Sequence, residues 1–193
     1  MLEVFKEKKC IFFHVPKTAG LSISHSLFGN IDWGHRTVDD YKYYFSEKEF
    51  QSFYKFSFVR NPYQRLYSAF IFLKKGGVNS QDLAFSKNHL SNYDSFEDFV
   101  KEGLHKKEIM EWVHFKPQHY FLTDKDGNLV MDFIGKMERI DEDFRQVCLH
   151  LKQSTELKTL NKSQSKTPLL SDEIKTIIKS KYQKDFTLFY PDL

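Results

Sequence analysis

Short hydrophobic runs alternate along the chain with stretches in which hydrophobic residues recur every three or four positions. The runs CIFFHV at 10–15 and KFSFV at 55–59 are typical of buried strands. Helical spacing of hydrophobic residues follows each run, at 23–27 and at 66–73. A chain that alternates strands and helices in this way predicts an α/β fold.

Several of the predicted helices carry recognisable start signals. Asn61 can cap the helix that follows the second strand, and Pro62 suits its first turn. Ser46 and Glu49 have the spacing of a capping box, and the segment 95–98 repeats that spacing with Ser and Asp. We therefore predict that helices begin at these three places.

The second half of the chain contains one predicted hairpin and two further helices. YFLT at 120–123 and LVMDFIG at 129–135 flank the turn DKDGN, which is the pattern of a hairpin. Hydrophobic residues with helical spacing occur at 144–151 and at 174–182, and a polar connection separates them. The second half of the chain is therefore also predicted to contain both strands and helices.

Length and composition predict one globular domain. The chain has 193 residues, of which 40% are hydrophobic. A chain of this length can form one hydrophobic core but is too short for two domains of ordinary size. Cys10 and Cys148 lie far apart in the sequence, so we expect neither a disulfide framework nor a zinc site, and a reducing compartment fits best. The predicted domain spans residues 1–193.

Net charge and hydropathy restrict the expected partners. The formal charge of +3 is far below the excess typical of a nucleic-acid-binding protein, so the expected ligands carry only a few anionic groups. The segment MLEVFKEKKCIFFHV interrupts its apolar patches with charges, unlike a signal peptide or a membrane span. We therefore expect a soluble, cytoplasmic protein without an integral membrane segment.

The first strand-to-helix junction, HVPKTAGLS at 14–22, has the residue types of an anion site. N–H groups at a helix N-terminus carry partial positive charge, Gly20 permits close approach of the backbone, and Lys17 adds a mobile charge. The segment differs from the usual nucleotide-binding loop GxxxxGK[ST], because Lys17 precedes Gly20 by three residues. The alternative interpretation is a helix capped by Thr18 with a solvated lysine.

The second junction, FSFVRNPYQRLYSAF at 56–70, offers further anion ligands. Arg60 ends the strand, and Ser68 lies seven residues beyond Asn61, about two helical turns, on nearly the same helix face. The guanidinium group and the serine hydroxyl can therefore approach one anion from two sides. The alternative is that Arg60 pairs with a carboxylate and that Ser68 is a surface residue.

Together the two junctions resemble the carbohydrate sulfotransferases that use 3'-phosphoadenosine 5'-phosphosulfate (PAPS). The resemblance is carried by HVPKTAGLSI and FVRNPYQRLYSAF, and it continues through GHRT at 34–37, KPQHYFLTDKDGNLVMDFIGKME at 116–138 and LNKS at 160–163. It implies a P-loop NTPase-like, three-layer α/β fold with a central, mainly parallel sheet and helices on both faces.

The resemblance also implies a binding site for the sulfuryl donor. It assigns the 5'-phosphosulfate to the loop residues Lys17, Thr18, Ala19, Gly20, Leu21 and Ser22. It assigns the 3'-phosphate, which stays on the product PAP, to Arg60 and Ser68. Many family members have a hydroxyl residue where this chain has Leu21, so at this position the backbone N–H is the group left to contact the 5'-phosphate.

The resemblance points to two catalytic residues, Lys17 and His35. Sulfuryl transfer resembles phosphoryl transfer, and Lys17 is the natural group to stabilise the leaving oxygen. Related sulfotransferases have a histidine in the GHRT segment that resembles a catalytic base, which favours His35 over the rivals His14 and His25. Lysine, arginine and helix N–H groups can neutralise the donor, so we expect no metal ion.

Two other functions stay open on the sequence alone. A kinase-like phosphotransferase is disfavoured by the lysine position and by residues 60–62, which stand where a magnesium-binding aspartate would follow the second strand. A non-catalytic nucleotide or glycan binder of the same fold is the other alternative. The resemblance implies a carbohydrate acceptor, and the aromatic stretch YKYYF at 41–45, with Trp33 and Trp112, offers either stacking surfaces or core.

Overall fold

A computed structural model describes residues 2–29, 33–154, 156–158 and 168–193 of the chain. One segment used in the sequence analysis, LNKS at 160–163, lies outside these described residues.

The described residues form short strands and mostly short helices. The strands are β1 (Cys10–Phe13), β2 (Tyr54–Val59) and β3 (Phe133–Lys136). The α-helices are α1 (Glu3–Lys8), α2 (Gly20–Phe28), α3 (Val38–Tyr44), α4 (Glu47–Ser52), α5 (Pro62–Lys74), α6 (Ser80–Phe85), α7 (Phe96–Asp98), α8 (Lys107–Met110), α9 (His119–Leu122), α10 (Ile140–His150), α11 (Asp172–Lys181) and α12 (Gln183–Phe189). None of the helices described here is long and apolar enough to cross a membrane.

The first of two compact units, from the described residues of Met1–Arg60 and Gln118–Lys162, contains a three-stranded sheet. Its strands are parallel in the order β1-β2-β3, and Phe13 lies opposite Ser57. β1 and β2 are buried along almost their whole length, as strands covered by helices are. The predicted α/β architecture, a parallel sheet flanked by helices, is confirmed. Its three-layer, P-loop-like arrangement stays a prediction.

Side-chain caps fix the starts of several helices. At the start of α5, Asn61 Oδ1 accepts the Tyr63 N–H at 3.0 Å, and Pro62 is the first helical residue. Reciprocal capping boxes begin α4 and α7, as the sequence predicts, and α3 has a further one; the pairs are Ser46 with Glu49, Ser95 with Asp98, and Thr37 with Asp40. Each cap bonds backbone N–H groups that a helix cannot pair internally.

The two buried strands differ from their predicted bounds by one or two residues. The first hydrophobic run extends to Val15, but the pairing of β1 with β2 ends at Phe13. The Val15 carbonyl accepts the Thr18 hydroxyl at 2.9 Å, and this bond turns the chain into the loop before α2. β2 begins one residue earlier than predicted because the Tyr54 N–H bonds the Lys9 carbonyl at 3.0 Å.

The predicted hairpin around DKDGN is wrong. Residues 119–122 form α9 instead of a strand, and one antiparallel bridge, between Thr123 and Leu129, remains beside the turn. Asp132 explains the difference, because its N–H bonds the Lys55 carbonyl at 2.8 Å and its carboxylate accepts the Lys55 N–H at 2.7 Å. These two bonds align the following residues with β2, where they form β3 in parallel pairing.

The second compact unit, from the described residues of Asn61–Pro117 and Ser163–Leu193, consists of helices and their connections. Arg65 on α5 is buried, and its Nη2 donates to the Lys116 carbonyl at 2.7 Å. A buried guanidinium requires such acceptors, so this contact ties α5 to the connection after α8. Ser68 lies one helical turn beyond Arg65 and is half-buried. The organisation into one domain stays a prediction.

Candidate functional site

The ends of β1 and β2 bring two predicted anion-binding segments to one edge of the sheet. β1 continues into the 14–19 loop and then into α2, and β2 continues into Arg60. Because the two strands are parallel, their carboxyl ends lie at the same edge, which is where open α/β sheets bind ligands. The 14–19 loop and Arg60 therefore share this edge within the first compact unit.

The backbone of the 14–19 loop leaves the start of α2 without a side-chain cap. Lys17 and Ala19 have φ angles of 69° and 62°, in the left-handed region that non-glycine residues rarely adopt. α2 begins at Gly20, and Ala19 at its N-cap has no capping side chain. The interpretation of Thr18 as the cap is wrong, because its buried hydroxyl donates to the Val15 carbonyl. An N-terminus of this kind retains the positive end of the helix dipole for an anion.

The imidazole ring of His14 packs against Gly20, the first residue of α2. A Cβ atom on Gly20 would lie 1.8 Å from His14 Cδ2 and 2.0 Å from His14 Nε2, so no side chain fits at this position. His14 itself is 7% exposed, which means that its ring has little room to move away. The sequence predicts that Gly20 allows an anion to approach the backbone closely. The structure gives this glycine a further role, which is to accommodate the His14 ring.

Gly20→Ala is expected to destabilise the protein by about 1–3 kcal/mol, because the added methyl group overlaps the His14 ring. Chemical denaturation of the two proteins measures this cost. In a His14→Ala background the same substitution meets no imidazole, so its cost is expected to be much smaller. An equal cost in both backgrounds contradicts the contact.

His35 lies against the 14–19 loop in an orientation that suits a base. Its Nδ1 is 3.0 Å from the His14 carbonyl, and the two rings meet edge to face with centroids 4.4 Å apart. A carbonyl only accepts hydrogen bonds, so Nδ1 carries the proton and the lone pair of the neutral ring is on Nε2. Of the two rival histidines, His14 is buried over Gly20, and His25 lies in the last turn of α2.

Gln118 holds the backbone of Arg60 by two hydrogen bonds. Gln118 Oε1 accepts the Arg60 N–H at 2.9 Å, and Gln118 Nε2 donates to the Arg60 carbonyl at 2.9 Å. The glutamine is fully buried. Sequence reasoning missed this residue because a single glutamine in a loop has no informative spacing; its place in the 116–138 segment of the resemblance was the available signal.

The remaining predicted donor-binding residues differ in burial and in the unit to which they belong. Ser22 is buried on α2, whereas Leu21 beside it is 37% exposed. Ser68 is half-buried on α5 in the second compact unit, whereas Arg60 belongs to the first. The convergence of Arg60 and Ser68 on one anion therefore stays a prediction.

The aromatic residues singled out in the sequence divide into packed and exposed side chains. Trp33 and Trp112 each stack on a phenylalanine, with ring centroids 4.4 and 4.2 Å apart, so they belong to the packing of their units. Tyr43 and Tyr44 on α3 are exposed. The Arg36 guanidinium lies 5.2 Å from the centre of the Tyr44 ring, within range of a cation–π contact.

Cys10 lies at the amino end of β1, at the opposite end of the strand from the candidate site. Burial raises the pKa of the Cys10 thiol to about 12, so Cys10 stays protonated at neutral pH and is no nucleophile. Within the part of the chain that the structure describes, no three His, Cys, Asp or Glu side chains are grouped to hold a metal ion. Lys17, Arg60 and His35 therefore stay the candidate functional residues of this edge.

Comparison with known families identifies the class of protein. The model of the Sulfotransferase family matches residues 2–191, which is nearly the whole chain. The chain therefore belongs to the sulfotransferase family, and this membership supports a transferase that moves sulfuryl groups. The comparisons with curated proteins and with solved structures found no match. The family predicted from the two junctions is confirmed.

Proposed function

We propose that this chain transfers a sulfuryl group from PAPS to a hydroxyl group of a carbohydrate acceptor, as one domain with a three-layer, P-loop-like fold. The observation that carries the proposal is the N-terminus of α2, which follows a parallel strand, has no side-chain cap and is preceded by Lys17. A helix N-terminus of this kind binds phosphate-type anions through its N–H groups and its dipole. Family membership supplies the sulfuryl group as the transferred group.

The residues at the sheet edge fit the two anionic ends of the donor. Lys17 and the backbone N–H groups of residues 18–22 would hold the 5'-phosphosulfate. Thr18 would contact it through its N–H, because its hydroxyl proton is bonded to the Val15 carbonyl. Arg60 would pair with the 3'-phosphate through its planar guanidinium. Ser68 is included here because the family motif assigns it to that phosphate.

The proposed reaction is an in-line displacement at sulfur. His35 Nε2 accepts the proton of the acceptor hydroxyl while its Nδ1 stays bonded to the His14 carbonyl. A bond forms between the acceptor oxygen and sulfur, and the bond between sulfur and the bridging phosphate oxygen breaks. Lys17 and the α2 N-terminus stabilise the negative charge that develops on the leaving oxygen. The proposed products are the sulfated acceptor and PAP.

A carbohydrate acceptor is supported by exposed aromatic residues close in sequence to the proposed base. Thr37 caps α3 only two residues after His35, and the same helix exposes Tyr43 and Tyr44. A tyrosine ring offers a flat apolar face to the C–H groups of a sugar ring, with a hydroxyl to bond its polar edge. We therefore propose that Tyr44, with the Arg36 guanidinium over its ring, contacts the acceptor.

Calorimetric titration with PAP, AMP and ATP tests the donor assignment without an acceptor. PAP is expected to bind more tightly than AMP or ATP, because its 3'-phosphate is the group that Arg60 recognises. Arg60→Ala is expected to lower the affinity for PAP roughly 10- to 100-fold and to leave that for AMP nearly unchanged, since charged hydrogen bonds are lost only with the 3'-phosphate.

Two results would exclude the proposed function. If the wild-type protein binds PAP no better than AMP, the chain does not use PAPS as its donor. If PAP binds tightly but no sugar is sulfated from PAPS in a broad acceptor screen, a nucleotide-binding protein of the same family explains the chain better.

A further inference from the structure

The side-chain amide of Gln118 occupies a position in the sheet that β1 leaves open. In the pairing of β1 with β2, the Tyr54 N–H bonds the Lys9 carbonyl. If the same register continued to the end of β2, the Arg60 N–H would bond the Val15 carbonyl. That carbonyl instead accepts a hydroxyl from within the 14–19 loop. Gln118 takes its place and bonds both polar groups of the Arg60 backbone.

The burial of Gln118 makes this replacement rigid. The side chain is fully buried, and both of its bonds to Arg60 measure 2.9 Å. A buried amide or peptide group that loses its partner costs free energy, so Gln118 and the Arg60 backbone hold each other in place. Arg60 consequently projects from a fixed backbone, although the ladder between β1 and β2 has already ended at Phe13.

We propose that Gln118 is a positioning residue that orients Arg60 toward the 3'-phosphate and thereby sets the preference of the site for PAP over AMP. This inference rests on the proposed function, in which Arg60 binds that phosphate. Bidentate recognition by a guanidinium depends on its orientation, and a backbone that must be ordered on binding lowers affinity. AMP lacks the 3'-phosphate, so its binding is expected to be insensitive to Gln118.

Calorimetric titration of Gln118 variants with PAP and AMP tests the inference. Gln118→Leu approximately preserves volume and removes both bonds, so we expect roughly a tenfold loss of PAP affinity with little change for AMP. Gln118→Glu keeps an acceptor for the Arg60 N–H but has no donor for the Arg60 carbonyl, and we expect an intermediate loss. In an Arg60→Ala background, Gln118→Leu is expected to cause no further loss of PAP affinity.

A matched control separates this effect from general destabilisation. Tyr41→Phe removes a buried hydrogen bond to the Phe12 carbonyl, 3.0 Å long, within the same compact unit, and is expected to leave the preference for PAP unchanged. Equal losses of PAP and AMP affinity in Gln118→Leu overturn the inference. It is also overturned if Gln118→Leu lowers PAP affinity further in the Arg60→Ala background. If Gln118→Leu does not fold, Gln118→Glu answers the same question through its preference for PAP.

The outcomes also distinguish this inference from the proposed function. Tight PAP binding that depends on Arg60 but not on Gln118 overturns the inference and leaves the proposed function standing. Wild-type protein that binds PAP no better than AMP overturns both.

Discussion

His35→Ala is expected to lower kcat roughly 10²- to 10⁴-fold while the affinity for PAP stays unchanged. The hydrogen bond from His35 Nδ1 to the His14 carbonyl, 3.0 Å long, places the lone pair of the neutral ring on Nε2. Nε2 is the proposed acceptor of the hydroxyl proton, whereas binding of PAP involves no proton transfer to this ring. Steady-state rates with PAPS and a sugar acceptor, together with PAP titration of the same variant, measure the two effects.

His35→Asn separates the proposed base from the structural contact. The asparagine amide can donate to the His14 carbonyl as Nδ1 does, but it has no basic nitrogen. We therefore expect His35→Asn to be as inactive as His35→Ala. Substantial activity in the asparagine variant means that the hydrogen bond alone matters and that another group is the base. His25→Ala, in the last turn of α2, serves as a histidine control and is expected to retain activity.

Local interactions explain why several of the helices were predictable. The capping box of α4 joins Ser46 to Glu49, and the cap of α5 joins Asn61 to Tyr63, so each signal lies within a few residues of sequence. β3 was predicted as a strand in a hairpin because its direction depends on a distant contact. Asp132 selects the parallel pairing through Lys55, a partner 77 residues away. No pattern within the segment itself encodes that partner.

The candidate site was predictable where a motif supplies both residue type and spacing. Lys17 and Arg60 follow buried strands, and parallel pairing then brings the ends of those strands to one edge. The contacts that support these residues were not predictable. His14 meets Gly20 because of the loop backbone, and Gln118 reaches Arg60 across 58 residues of sequence. Such contacts depend on how the chain packs and leave no periodicity in the sequence.

Lys17→Ala is expected to lower kcat roughly 10²- to 10³-fold, because it removes the positive charge proposed to face the leaving oxygen. That charge matters most when the bond to sulfur breaks and the phosphate oxygen becomes more negative. The effect on kcat is therefore expected to exceed the effect on the KM for PAPS. Steady-state kinetics with varied PAPS and a saturating sugar acceptor separate the two parameters.

Two matched variants distinguish the charge of Lys17 from the strain of its backbone. Lys9 also has a left-handed backbone, with φ of 49°, in the same compact unit, so Lys9→Ala makes the same change of side chain at a comparable conformation and is expected to retain activity. Lys17→Arg keeps the charge and is expected to retain part of the rate, since a guanidinium spreads its charge over a larger group. If Lys17→Ala raises the KM for PAPS and leaves kcat unchanged, Lys17 binds the donor equally in the ground and transition states, and the leaving oxygen must be stabilised by the α2 N-terminus.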